Sequence, residues 1–170
     1  MINITIIGLG PLGTSIGFAL KKYCNNIGEI IGYDLSNKNQ DYAKKNQAID
    51  KTEWNIKNAV SQSDLIFICV GTPTKKGGNG ADLSQIYNVA KEISTSINKF
   101  KIIITKSTVP LTTGDEIEKI ISKKNNKKKF SIVSNPEFLR EGEAIRDFIY
   151  PDRVVIGTNE KKSNKIMKNL

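Results

Sequence analysis

The chain has 170 residues, 26 Lys and Arg against 17 Asp and Glu, a formal net charge of +9 and no histidine. That length suits one domain with a real core, and no apolar run approaches the roughly 18 residues that a membrane-spanning helix needs. Two cysteines, Cys24 and Cys69, make neither a disulfide framework nor a metal-ligand spacing, and the lack of histidine argues against a zinc site or a histidine-based triad.

The excess positive charge falls largely in "SKKNNKKK" (122–129) and "EKKSNKIMK" (160–168). These stretches are poor in aromatics and suit solvated loops and helix faces better than a nucleic-acid footprint. The start, "MINITIIGLG", has no basic leader and runs straight into a strand pattern. A cytoplasmic protein with no nucleic-acid or membrane partner is expected.

In chain order, "NITII" (Asn3 to Ile7) predicts a short strand stopped by glycine. "PLGTSIGFALKKY" (Pro11 to Tyr23) sets Leu12, Ile16, Ala19, Leu20 and Tyr23 near helical spacing. "EIIGYD" (Glu29 to Asp34) is a second strand, and a polar helix follows through "NQDYAKKN". "DLIFICV" (Asp64 to Val70) has the continuous apolar character of a buried strand. "DLSQIYNVAKEIS" predicts a helix capped by Asp82, with Gln85 three residues on. "KIIIT" (Lys101 to Thr105) is a strand. "TGDEIEKIIS" repeats the capping pattern with Thr113 and Glu116. "FSIV" and "RVVIG" predict two more strands, and a helix begins at about Asn159. Apolar strands alternating with helices predict an α/β fold, a doubly wound and mainly parallel sheet with helices on both faces.

"GLGPLG" is Gly8-x-Gly10-x-x-Gly13, placed between the first strand and the first helix, where that spacing carries meaning. Gly8 permits the tight turn, Gly10 lets a pyrophosphate approach the backbone, and Gly13 lets the helix pack close to the strand. The helix N-terminus offers free N–H groups and a positive dipole to phosphates. Asp34 ends the second strand, where a carboxylate accepts from an adenosine ribose hydroxyl and repels a 2′-phosphate. NAD is therefore expected rather than NADP.

Three further strand ends are marked. "GTPTKKGGNGADL" (Gly71 to Leu83) is a glycine-rich loop able to run close to a cofactor. "KSTVP" (Lys106 to Pro110) sets the hydroxyls of Ser107 and Thr108 at the mouth. "SNPEFLREGEAIRDF" (Ser134 to Phe148) brings Glu137 and Glu141. Together "GTPT…ADL", "KSTVP", "SNPEFLREGEAIRDF" and "PDRVVIG" resemble the NAD-binding domain of the UDP-glucose and GDP-mannose dehydrogenases, specifically from about Asp64 to Gly157, with "PDRVVIG" most similar to the UDP-glucose branch.

The resemblance implies a Rossmann-like domain over 1–158, with 159–170 starting a truncated linker helix. It implies oxidation of the C6 alcohol of a UDP-sugar to the carboxylate with NAD. Glu137 would handle protons and a water, and Thr108 would position the water or the sugar. Glu137, Phe138, Leu139 and Glu141 would contact substrate. The cofactor would meet Gly8, Gly10, Leu12, Gly13, Asp34, Val70, Gly71, Thr72, Pro73, Thr108 and Glu141. The implied partners are the UDP-sugar and either a second copy of the chain or a partner carrying a C-terminal domain.

The family holds its aldehyde on a cysteine in a later glycine-rich motif. Cys24 and Cys69 lack activating cations and read as structural, so the chain alone is expected to be inactive. A stand-alone binding module for NAD or a sugar nucleotide is the alternative. The N-terminal half, "GLGPLGTSIGFALKK" with "IIGYDLS" and "AVSQSDLIFICV", is more similar to prephenate dehydrogenases, a third reading that the absence of histidine opposes. Thr112 stands where "STVPxGT" usually has glycine, and the stretch between Asp34 and Leu65 is shorter than the family's.

Overall fold

The computed structural model describes residues 1–78, 80–138 and 151–170. Its strands are β1 (Ile2–Ile7), β2 (Ile27–Tyr33), β3 (Lys51–Thr52), β4 (Leu65–Ile68), β5 (Lys101–Thr105) and β6 (Phe130–Ser134). They form one sheet in the order β3-β2-β1-β4-β5-β6, and every pairing is parallel. The helices are α1 (Pro11–Tyr23), α2 (Asn37–Lys45), α3 (Ile56–Gln62), α4 (Ser84–Ser94), α5 (Thr113–Ser122) and α6 (Lys161–Lys168).

Side chains alternate across the sheet, so strands covered on both faces must be apolar throughout. One core gathers Ile4, Ile6, Ile30, Phe67, Ile104 and Val133 under α1, α2 and α6, through Ile16, Leu20, Ala43 and Met167. The other gathers Ile7, Ile66, Ile68 and Ile103 under α3, α4 and α5, through Val60, Ile86, Ile93, Ile117 and Ile121. The doubly wound α/β architecture expected from the sequence is the one observed.

The differences are local and have physical reasons. α1 turns Gly13, Thr14 and Gly17 inward with Ile16 and Leu20, while Tyr23 stays 57% exposed. A Cβ on Gly17 would stand 2.3 Å from the Ala48 carbonyl oxygen. The helix is thus seated by its smallest residues, which an apolar-spacing rule passes over. α4 begins at Ser84, and Asp82 serves the preceding turn, its Oδ1 accepting from Ser84 N–H (2.9 Å). Thr113 is the first residue of α5 and does not cap it. "RVVIG" is not a strand: within it only Gly157 pairs, in an antiparallel bridge with Ser134. The short strand β3 and helix α3 have no counterpart in the sequence reading, since two residues show no periodicity. Asn55 caps α3, its Oδ1 accepting from Lys57 N–H (2.9 Å).

Lys101 is wholly buried at the start of β5. Its Nζ donates to the Ser63 carbonyl (2.6 Å), and burial pulls its pKa down to about 8.

Candidate functional site: the C-terminal rim of the sheet

Parallel pairing leaves five strand ends flush. Tyr33, Ile7, Ile68, Thr105 and Ser134 are successive partners across β2, β1, β4, β5 and β6. The ladder continues one step into the loops. Gly8 N–H donates to Tyr33 O (2.8 Å), Cys69 N–H to Ile7 O (2.7 Å), Lys106 N–H to Ile68 O (3.1 Å) and Asn135 N–H to Thr105 O (2.9 Å). The loops that carry the marked residues therefore start from one straight rim, about 19 Å long at four strand spacings. The chain leaves β1 toward β2 on one side and reaches β4 on the other, so the switch point lies above β1 and β4.

The glycine turn is built for close approach. Gly8 has φ +94°, and a Cβ there would stand 2.7 Å from the Cys69 carbonyl oxygen. A Cβ on Gly13 would stand 1.9 Å from the Gly8 carbonyl oxygen. Gly10, by contrast, has no atom within 4 Å of where its Cβ would be. It opens the turn outward at the N-terminus of α1, whose first turn has Pro11, no acidic residue and no side-chain cap. Such a terminus leaves backbone donors for an anion. Leu12 points its side chain at the core, so it has only its backbone to offer a ligand.

Asp34 ties this turn to β2. Its Oδ2 accepts from Leu9 N–H (2.6 Å) and from Asn39 Nδ2 (3.3 Å), and its Oδ1 accepts from Ser36 N–H (2.7 Å). The carboxylate lines a cleft of about 860 Å³ together with Gly8, Gly10, Trp54, Val70, Gly71 and Val89. Gly71 is another open position, with no neighbour within 4 Å of its Cβ site. Thr72 and Pro73 continue that loop outside the cleft walls, and Pro73 O accepts from Asp82 N–H (2.7 Å).

A second cleft, of about 270 Å³, lies between α1 and the loop after β6. Its described walls include Phe67, Lys106, Asn135, Glu137, Phe138 and Arg153. Lys106 Nζ donates to Asn135 Oδ1 (3.4 Å), and Asn135 Nδ2 donates to Val155 O (2.8 Å), which pins the loop after β6. Glu137 Oε2 is shielded from solvent and meets no donor among the described residues. Burial holds the Glu137 carboxyl above the ordinary carboxylate range, with its own backbone N–H and Lys106 acting against that. Burial likewise holds the Lys106 ammonium below its usual range, partly offset by Glu137 and then Cys69. A shielded acid beside a shielded base suits proton transfer.

Of the expected residues, the structure brings Gly8, Gly10, Asp34, Val70 and Gly71 to one cleft and Glu137 and Phe138 to the other. Thr108 is exposed on the loop after β5 and lines neither cleft. Ser107 is not free at the mouth: it is buried, and its Oγ donates to Val70 O (2.8 Å). Leu139 and Glu141 lie outside the described residues. Sequence reasoning passed over Lys106 and Asn135, though both sit inside the quoted motifs, and over Trp54, which sits in none. Cys69 is buried, which pushes its thiol far up, and the Cys24 thiol donates to Leu170 O (2.8 Å). Neither is presented as a nucleophile.

A doubly wound parallel sheet with a glycine turn, an open helix N-terminus and an acid ending β2 defines a dinucleotide-binding domain. Residues 37–170 match the family model described as the UDP-glucose/GDP-mannose dehydrogenase family, NAD binding domain, and the chain belongs to that family. A UDP-glucose 6-dehydrogenase of Rickettsia felis is 36% identical over 99% of this chain and 40% of its own length. One of Rhizobium meliloti is 53% identical over 61% of this chain and 24% of its own length. In three dimensions the chain resembles a GDP-mannose dehydrogenase of Pseudomonas aeruginosa solved as a ternary complex, with TM-score 0.81 and 29% identity over 97% of this chain and 43% of that one. The chain thus spans about two fifths of the Rickettsia protein's length. Among the described residues no helix is long and apolar enough to cross a membrane.

Proposed function

We propose that this domain binds NAD along the rim and serves as the cofactor half of an enzyme that oxidises the C6 alcohol of UDP-glucose, or a related sugar nucleotide, to the carboxylate. The observation that carries the reading is the contrast among the three glycines. Gly8 and Gly13 are closed against protein backbone, whereas Gly10 faces open space at the start of α1 and beside Asp34. Gly10 and the first N–H groups of α1 would receive the pyrophosphate, Asp34 the adenosine ribose, and the loop from Val70 to Pro73 the remainder. NAD, when bound, supplies the hydride acceptor.

The protein's own part is positional and electrostatic. Glu137, held beside Lys106, is the group that takes the alcohol proton and orders a water, with Thr108 as a hydroxyl on the neighbouring loop. Phe138 forms sugar-side surface, and Arg153, whose guanidinium stands 5.8 Å from the Phe138 ring centroid, fixes that ring. In this reading Leu139 would contact the substrate, and Glu141 the substrate and the cofactor. Neither cysteine is placed to hold an aldehyde, so a partner domain or a second chain supplies that thiol. A stand-alone binding module is the second reading, favoured by the burial of Cys69.

The test is calorimetric titration of NAD and NADP into the wild type and Asp34→Ala. The wild type is expected to prefer NAD. The substitution should weaken NAD much more than NADP, since only NAD has a free 2′-hydroxyl to give the carboxylate. Equal losses would assign Asp34 solely to holding the Leu9 turn, and would remove it from cofactor selection.

A further inference from the structure

Trp54 is the one tryptophan in the chain, and it is 61% exposed, although an indole has much apolar surface to gain by burying. It follows β3, whose pairing matches Ile31 with Lys51 and Gly32 with Thr52. Trp54 stands two residues beyond the last of these pairs, in a bend at the same end of the sheet as Asp34. The first step beyond the last pair is made by a hydrogen bond from Glu53 N–H to Gly32 O (2.9 Å). On the other side, Asn55 is held by its cap on α3. The tryptophan thus rides on a stretch tied at both ends, and it lines the same cleft as Asp34 and Gly10.

We infer that Trp54 is the platform on which the adenine ring of the dinucleotide stacks. The inference rests on the NAD reading above and deepens it. Its ground is the order of chemistries along the sheet. An aromatic face follows β3, a carboxylate ends β2, and an open anion-binding turn follows β1. Base, ribose and diphosphate occur in that same order in an adenosine diphosphate. A ribose held at Asp34 with its phosphate toward Gly10 carries its base to the other side, toward β3. Leu35, 88% exposed and in the same cleft, adds apolar surface beside the ring. A face held on a tied backbone loses little freedom when a base lands on it, which is what makes a rigid aromatic an effective stacking partner.

The lone indole is its own reporter. NAD, ADP-ribose and nicotinamide mononucleotide are titrated into the wild type with tryptophan emission followed, and into the wild type, Trp54→Phe and Trp54→Ala by calorimetry. NAD and ADP-ribose should quench the wild type, and nicotinamide mononucleotide should not. Trp54→Ala should lose about tenfold or more in affinity for NAD and ADP-ribose, within the range of base–aromatic stacking. Trp54→Phe should retain most of it, and both variants should melt with the wild type because the side chain is exposed. NAD binding that leaves the wild-type emission unchanged, with equal affinity in Trp54→Ala, would overturn the stacking role and leave the NAD reading standing. An equal loss for nicotinamide mononucleotide would also overturn it, by revealing a general disturbance of the cleft. A wild type that binds no NAD by calorimetry would bring down the NAD reading itself.

Discussion

Adding one methyl group at Gly10 and one at Gly13 should separate binding from stability within a single turn. At Gly13 a Cβ would stand 1.9 Å from the Gly8 carbonyl oxygen and 3.1 Å from Ile6 Cγ2. The nearer obstacle is backbone and cannot rotate away, so α1 must lift off β1. Overpacking of this kind costs about 1–3 kcal/mol, and a rigid neighbour argues for the upper end. Alanine returns up to about 1 kcal/mol of helix propensity over glycine, for a net destabilisation of roughly 2 kcal/mol. At about 2–4 °C per kcal/mol for a chain of this size, Gly13→Ala should melt about 4–8 °C below the wild type.

Gly10 has φ −65° and free space at its Cβ position. Alanine fits there without strain. A less favourable cap residue is set against a less flexible unfolded chain, and the two leave stability within about 1 kcal/mol. The new methyl nevertheless occupies the approach of the pyrophosphate to the backbone. NAD affinity should fall by about tenfold or more, equivalent to about 1.4 kcal/mol. Scanning calorimetry and NAD titration on the two variants decide the matter. A Gly10→Ala protein that binds NAD like the wild type would refute the assignment of the open face to phosphate, and a Gly13→Ala protein that melts with the wild type would refute the packing role.

Two other expectations concern buried groups. Thiol labelling of the native chain should leave Cys69 untouched until denaturant unfolds it, with the half-buried Cys24 reacting slowly beforehand. Peptide mapping that finds Cys69 modified in a fully folded sample would contradict its placement. Lys101, with its folded pKa near 8, gives up its proton in the native state before it does so in the unfolded chain, where lysine titrates near about 10.4. Across that window the unfolded chain holds the extra proton, so stability should rise with pH from about 8 to about 10. Urea midpoints should show that rise in the wild type and lack it in Lys101→Met, and equal slopes in the two would dismiss the effect.

The order of strands and helices was legible in the sequence because strands buried on both faces must be apolar along their length, as in "KIIIT" and "DLIFICV". The glycine spacing and Asp34 were legible because only a strand, a turn and a helix in succession make that spacing useful. The family was legible through resemblance, in stretches such as "PEFLREG", and not through physics, since two acids four residues apart occur on any solvated helix.

What the sequence alone could not set was everything that depends on neighbours across the sheet. Ser107 and Thr108 read as equivalent hydroxyls, but the flush ends of β4 and β5 bury Ser107 against Val70 O and leave Thr108 outside. Lys106 looked like one more lysine among many. Burial beside Asn135 and Glu137 made it a distinct group, because desolvation acts on whatever surrounds a charge and not on its place in the chain. Trp54 carried no motif at all. It gains meaning only from the cleft that it shares with Asp34 and Gly10, and that cleft is assembled by pairing between segments far apart in sequence.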